Sequence, residues 1–290
     1  MSITLRSKEN YCMGRMGPRL CIQTTTACNG KCFFCVGRYN IPCKVNVDEI
    51  IKSAISLDKY PDVLLLGGES TLFPKDLVKI INSIAPYKRK ITVNTNGYDL
   101  ECLTPVIKKL DKLIVSVMGD EEINNSIVGV KPQLYKIKEF HKENPKLKLR
   151  VNCVINKKGI DSFEKLESFV LEMKELGFTS IKFSEMSTDD PNDKNFIDLQ
   201  EMLRPFCDDI HQEDTLQKGC YLEPKSLEER FGIKIILNLT CNLKSPVKQP
   251  QYKSLKYEPM CFDSVYISPD GSIHERIVSE LDLANERGAC

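Results

Sequence analysis

Between residues 19 and 212, short apolar runs alternate with amphipathic stretches in six successive strand–helix units. Strands joined through helices must run parallel, because each crossover returns the chain to the same end of the sheet. The runs are RLCIQTT (19–25), DVLLLGG (62–68), KITVNTN (90–96), KLIVSVM (112–118), LKLRVNCVIN (147–156) and SIKFSEM (180–186). DVLLL is a continuous apolar run stopped by glycines, as expected of a strand buried on both faces. Asn46 caps a first helix whose apolar positions are Val47, Ile50, Ile51, Ala54 and Ile55, with Glu49 at the capping-box position. Pro74 lies in the first turn of the second helix. Further helices are expected over 99–110, 132–143 and 195–212, and one capped by Asp161 that ends at Gly177. Six units are too few to close an eight-stranded barrel, so the fold class is α/β with an open partial (β/α)6 barrel.

From about residue 213 the alternation fails. Loop and short helix give way to a strand at 233–240, a polar loop at 243–259 and a hairpin at 263–277 turning on Pro269, Asp270 and Gly271. The expected organisation is a core at 1–212 and a short C-terminal extension at 213–290.

Composition narrows the function. With 41 basic and 40 acidic residues the net charge is +1, which gives no global field for nucleic acid or an anionic membrane. The runs YKRK (87–90) and KLKLR (146–150) read as solvated strand entries and helix ends. No apolar run is long enough to span a membrane, and the N-terminus lacks the apolar stretch of a signal peptide, so a cytoplasmic protein is expected. Thirteen cysteines are then a heavy load of reduced thiols, odd in number and irregular in spacing. That pattern argues for metal or redox chemistry over a disulfide framework.

Three of those cysteines, Cys28, Cys32 and Cys35, occupy one loop after the first strand, in the stretch ACNGKCFFC. In parallel α/β sheets, chemistry collects at this C-terminal edge. GGE after the second strand and NTNG at the end of the third fall on the same edge. Three thiolates on a four-iron cluster would leave one iron open for a ligand. Two blander readings stand beside that one. A zinc ion could take a fourth ligand from Cys12, Cys21, Cys43 or a histidine, and a plain electron-transfer cluster could do the same.

The order of motifs resembles the radical S-adenosylmethionine (SAM) superfamily across residues 18–186. CxxxCx-aromatic-C is matched by Cys28, Cys32, Phe34 and Cys35, and GGE by Gly67, Gly68 and Glu69. The resemblance implies a [4Fe–4S] cluster on the three cysteines, with the fourth iron chelating the amino and carboxylate groups of SAM. One electron from a donor such as flavodoxin or ferredoxin would then break the C5′–S bond, and the resulting 5′-deoxyadenosyl radical would take hydrogen from a substrate.

The resemblance also implies roles for particular residues. Gly67 and Gly68 would let the backbone approach the bound amino acid, and Glu69 would stand near its ammonium. Thr95, Asn96, Ser116 and Asn152 would face the cofactor, Asn152 toward the ribose. Met118 stands where relatives carry an aspartate, and Val128 where they carry an arginine. Strand alternation puts Arg150, Asn152 and Val154 on one face and Val151, Cys153 and Ile155 on the other.

The C-terminal hairpin resembles a truncated SPASM/twitch-type extension. Cys261 precedes it, but Arg276 replaces the second cysteine, so a second cluster is not favoured. Cys220, Cys241 and Cys261 are candidate hydrogen donors to a substrate radical; otherwise they are small buried hydrophobes. His211 and His274 are candidates for proton transfer, and His141 for a helix surface. The substrate is expected to be a small molecule or a peptide. Only 27 residues precede the cysteine loop, which favours a small molecule or short peptide. A glycyl-radical activating protein and a non-catalytic metal-binding protein remain as alternatives.

Overall fold

The computed structural model describes residues 19–35, 43–186, 193–207, 209, 221–239 and 264–274. Six parallel strands form the middle of the sheet: β1 (Arg19–Gln23), β2 (Asp62–Leu66), β3 (Lys90–Thr95), β4 (Lys112–Ser116), β5 (Lys148–Ile155) and β6 (Ser180–Glu185). Four more extend it: β7 (Tyr221–Leu222), β8 (Lys234–Asn238), β9 (Ser264–Ile267) and β10 (Ile273–His274). The order is β10-β9-β1-β2-β3-β4-β5-β6-β8-β7. β8 joins β6 and β9 joins β1, both parallel, while β7 and β10 add antiparallel edges. The open, mostly parallel α/β sheet expected from the alternation is therefore present. The chain beyond residue 212 widens it at both ends.

The helices are α1 (Val47–Ser56), α2 (Pro74–Ile84), α3 (Glu121–Val128), α4 (Tyr135–Glu143), α5 (Phe163–Glu175), α6 (Leu199–Leu203) and α7 (Lys225–Phe231). Asn46 caps α1 through its side chain, as the sequence implies. Four expectations need correction. The α5 cap is Ser162, whose extended backbone lets its hydroxyl accept from Lys165 N; Asp161 instead pairs with Lys165 Nζ. The segment expected as a helix over 99–110 is a 3-10 helix, Glu101–Lys109, which has Pro105 inside it. The helix near 132–143 starts only at Tyr135, because Pro132 lies upstream. That near 195–212 is a single turn of α6 followed by a 3-10 turn at Arg204–Phe206. Helix α3 has no counterpart in the sequence reading.

Alternate residues of each strand join one apolar core beneath the helices. Leu65, Val93, Leu113, Val151, Cys153 and Phe183 all lie in it. The opposite face, the lumen side, carries half-buried positions on β2, β3 and β5. DVLLL is accordingly buried on one face only: Val63 and Leu65 are buried, Leu64 and Leu66 half-exposed. Burial on both faces was the wrong expectation for that strand. The alternation expected for β5 holds, with Val151, Cys153 and Ile155 in the core and Arg150, Asn152 and Val154 facing the lumen.

The hairpin at 264–274 anchors on α1. Asn46 N donates to Pro269 O at 2.7 Å, and Ser53 Oγ to Gly271 O at 2.7 Å. Among the described residues no helix is long and apolar enough to cross a membrane.

Candidate active site

The pairing of β1 with β2 runs on past both strands. Thr24 N donates to Leu66 O, Gly68 N to Thr25 O and Glu69 N to Ala27 O, each at 2.8 Å. A Cβ on Gly67 would lie 2.7 Å from Thr25 O, and one on Gly68 only 2.1 Å from Ala27 O. The two glycines are therefore demanded by the chain's own backbone, which approaches there to launch the cysteine loop.

Glu69 is 1% exposed and knits three segments together. Its Oε1 accepts from Thr71 N (2.9 Å), Thr71 Oγ1 (2.7 Å) and Thr95 Oγ1 (2.6 Å). Its Oε2 accepts from Asn96 N at 2.5 Å. Asn96 Nδ2 in turn donates to Asn29 Oδ1, inside the cysteine loop, at 2.8 Å. A buried carboxylate with four donors is well satisfied, so much of Glu69's capacity goes into positioning.

The far side of the loop rests on α3. Lys31 N donates to Val128 O at 2.7 Å. Cys32, Phe33 and Phe34 pack on a small apolar cluster of Met118, Ile127, Val128 and Val130, joined by Val154 from the lumen face. Phe33 and Phe34 meet edge to face at 5.2 Å, and Lys158 Nζ stands 4.7 Å over the Phe33 ring. Met118 uses its sulfur to accept from Val154 N at 3.3 Å. Val128 contributes backbone and bulk to the loop's seat. Asn29 and Val128 were not found as loop anchors in the sequence, because neither belongs to a motif whose chemistry would flag it.

Cys28 and Cys35 are exposed and Cys32 is half-buried. Burial first, then the neighbouring cysteines, pushes the Cys32 thiol up to about 11, and burial also raises that of Cys28. Cys28 and Cys32 therefore resist ionising unless a cation compensates them. The three thiols do not converge on one point: among the described residues, no three His, Cys, Asp or Glu side chains could hold one metal ion. A four-iron cube takes each thiolate on a different iron, which three separate thiols of one loop fit. All the cysteines described are free thiols.

Below the loop lie the remaining candidates. Ser116 and Asn152 are direct neighbours in the β4–β5 register. Asn152 Oδ1 is buried without a hydrogen-bond partner, as is Asn94 Oδ1 on β3. Orphaned buried acceptors on a lumen face suit a polar ligand. Asn94 went unnoticed in the sequence, since an asparagine in a strand carries no motif. Thr95 and Asn96 are joined to Glu69, and Phe34 is part of the loop's apolar seat. Cys220, Cys241, Cys261 and His211 lie outside the described residues. His274 sits on the edge strand β10, and His141 on α4 in the outer helical layer.

Residues 22–120 match the family model described as "Radical SAM superfamily". A "Probable GTP 3′,8-cyclase" of Thermococcus kodakarensis is 31% identical over 42% of this chain and 39% of its own length. An "S-adenosylmethionine-dependent nucleotide dehydratase" of Fibrobacter is 25% identical over 46% of each chain. The chain thus matches less than half the length of either relative. The crystal structure of Streptococcus suis SuiB overlaps 90% of this chain and 60% of its own, with a TM-score of 0.63 and 18% identity, a likeness of fold. The cysteine loop and the GGE turn both lie within the stretch that matches the radical SAM superfamily model, so residues 22–120 are similar to a radical SAM domain.

Proposed function

We propose that this chain is an enzyme that carries a [4Fe–4S] cluster on Cys28, Cys32 and Cys35 and uses it with SAM to abstract hydrogen from a small molecule in the lumen. The observation that carries this reading is the loop of three thiols at the C-terminal edge of the sheet, tied to β3 through Asn96, with buried partnerless amide oxygens on β3 and β5. When bound and reduced, the cluster supplies the electron that cleaves SAM to methionine and a 5′-deoxyadenosyl radical.

The protein's share is position and shelter. Gly67, Gly68 and Glu69 set the path of the loop, and Thr95 and Asn96 hold its β3 side. Ser116 and Asn152 offer hydrogen bonds to SAM from adjacent strands. Phe34 and its apolar neighbours screen the inner side of the loop from water. The reaction site belongs to residues 1–212, and the extension widens the sheet around it. The free thiols suit a reducing, cytoplasmic setting with a flavodoxin- or ferredoxin-like donor. A small molecule is favoured over a peptide, because the sequence relatives are named for GTP and nucleotide substrates.

The test is anaerobic. The protein is reconstituted with iron and sulfide, reduced, given SAM and assayed for 5′-deoxyadenosine beside Cys32→Ala. Release by the wild type alone supports the reading. An intact, reducible cluster that never cleaves SAM, with or without a library of nucleotides and small metabolites, overturns it.

A further inference from the structure

The lower half of the lumen, away from the cysteines, carries an unusual set of side chains. Arg19 opens β1, Lys112 opens β4, Arg150 lies on β5 and Lys182 on β6, each half-buried and at a lumen-facing position. Register places Arg150 opposite Ile114 and Ser180, and Lys182 opposite Asn152. Arg150 Nε donates to Ser180 Oγ at 3.4 Å. Arg19 and Lys182 are five strands apart along the sheet, yet each lies within the other's electrostatic reach. The sheet therefore curls enough to turn its cations toward a common space. Burial, followed by Arg150, lowers both the Lys112 and Lys182 amines, to about 8.

Among the described residues, the acids at this end pair with other cations. Asp62 pairs with Arg89 and Lys90, Asp111 with Lys148, and Glu223 with Lys234. Arg19, Arg150 and Lys182 keep partners of their own. Lys112 forms no ion pair among the described residues. Burying the Lys112 amine beside other cations is costly, and an anion would offset that cost. Asn94 and Asn152 add orphaned acceptors beside this floor, suited to a ligand hydroxyl or amine. From Lys112 to Ser116 the rise is four residues, about 13 Å at about 3.3 Å each.

We infer that the lumen floor formed by Arg19, Lys112, Arg150 and Lys182 binds the phosphate groups of a phosphorylated small-molecule substrate. Asn94 and Asn152 meet its hydroxyl or amino groups, and its reacting carbon sits below the cysteine loop. This rests on the reading that the substrate occupies the lumen.

The experiment is calorimetric titration of the full-length, cluster-loaded protein in the presence of SAM. The probes are inorganic triphosphate, the four ribonucleoside triphosphates, a sugar monophosphate, the unphosphorylated nucleosides and an acidic hexapeptide. At least one phosphate compound binds, the matching unphosphorylated compound binds at least tenfold more weakly, and Lys112→Met and Lys182→Met each weaken the phosphate compound at least tenfold. Lys79→Met, on the exposed face of α2, leaves binding unchanged. Circular dichroism and cluster absorbance identify variants that fold, and either lumen variant suffices. Tightest binding by a nucleotide, by inorganic triphosphate or by the sugar phosphate distinguishes the source of the phosphate. The inference is overturned if no phosphate compound binds the folded protein, if both lumen variants bind as the wild type does, or if the acidic peptide binds best. Phosphate binding without any 5′-deoxyadenosine would sink the radical reading and spare this one. The reverse result would sink this one alone.

Discussion

Asn96, at the end of β3, donates its side-chain amide to Asn29 Oδ1 within the cysteine loop at 2.8 Å. The same residue's backbone amide is held by Glu69, so one buried carboxylate reaches the cysteine loop through a single intermediate side chain. Replacing Asn29 with alanine removes that tie while leaving Glu69 and its other donors intact. The expected cost is about 1 kcal/mol, localised to the loop. Iron should leave the reconstituted variant several-fold faster under a chelator, with the melting temperature almost unchanged. Equal rates of iron loss would show that the contact does not position the loop.

Gly68→Ala tests the backbone approach. Its Cβ would meet Ala27 O at 2.1 Å, and a main-chain atom has nowhere to retreat. Overpacking of this kind costs about 1–3 kcal/mol. A melting temperature lowered by several degrees in the unloaded protein is expected, since the clash exists before any iron binds. A wild-type melt would mean that the turn has more slack than the geometry allows.

The cysteines should divide by place. Alanine at Cys28, Cys32 or Cys35 should abolish the visible absorbance of the reconstituted protein with little effect on the unloaded fold. Cys153 is fully buried in the core, where alanine leaves a small cavity costing about 1 kcal/mol. That variant should melt lower yet load iron normally. Loss of iron loading in Cys153→Ala would break the division.

The lumen lysines give the protein a pH signature. Burial and Arg150 hold the Lys182 amine down to about 8, below its ordinary 10.5. Between those values the unfolded chain binds more protons than the folded one, so folding stability rises with pH across that window. Below about 8 the burial penalty is present in full. Lys182→Met removes it. The melting temperature of the variant minus that of the wild type should therefore be greatest near pH 7.5 and shrink toward pH 10. A difference that stays flat across that range would place the amine in contact with water.

The parallel sheet, its first helices and the C-terminal edge on which the cysteine and GGE motifs fall were legible from the chain, because periodicity and turn residues are local properties. The α5 cap shows where such locality ends: Asp161 and Ser162 are both good caps, and only the extended backbone of Ser162 decides between them. Helix α3 was hidden because its apolar positions, Ile123, Ile127 and Val128, belong to the small cluster under the cysteine loop and not to the main core.

By itself the sequence determined the parallel strand–helix order and the cysteine and GGE motifs at one edge of it, since each depends on residues near one another along the chain. Tertiary structure alone decided the rest. It turned Gly68 against Ala27 and linked Glu69 through Asn96 to Asn29. It also brought Arg19 within electrostatic reach of Lys182, far away in the chain. Those relations come from strand register and sheet curvature. The physical reason is that hydrogen bonds and charges act through distance in space, which the order of residues does not record.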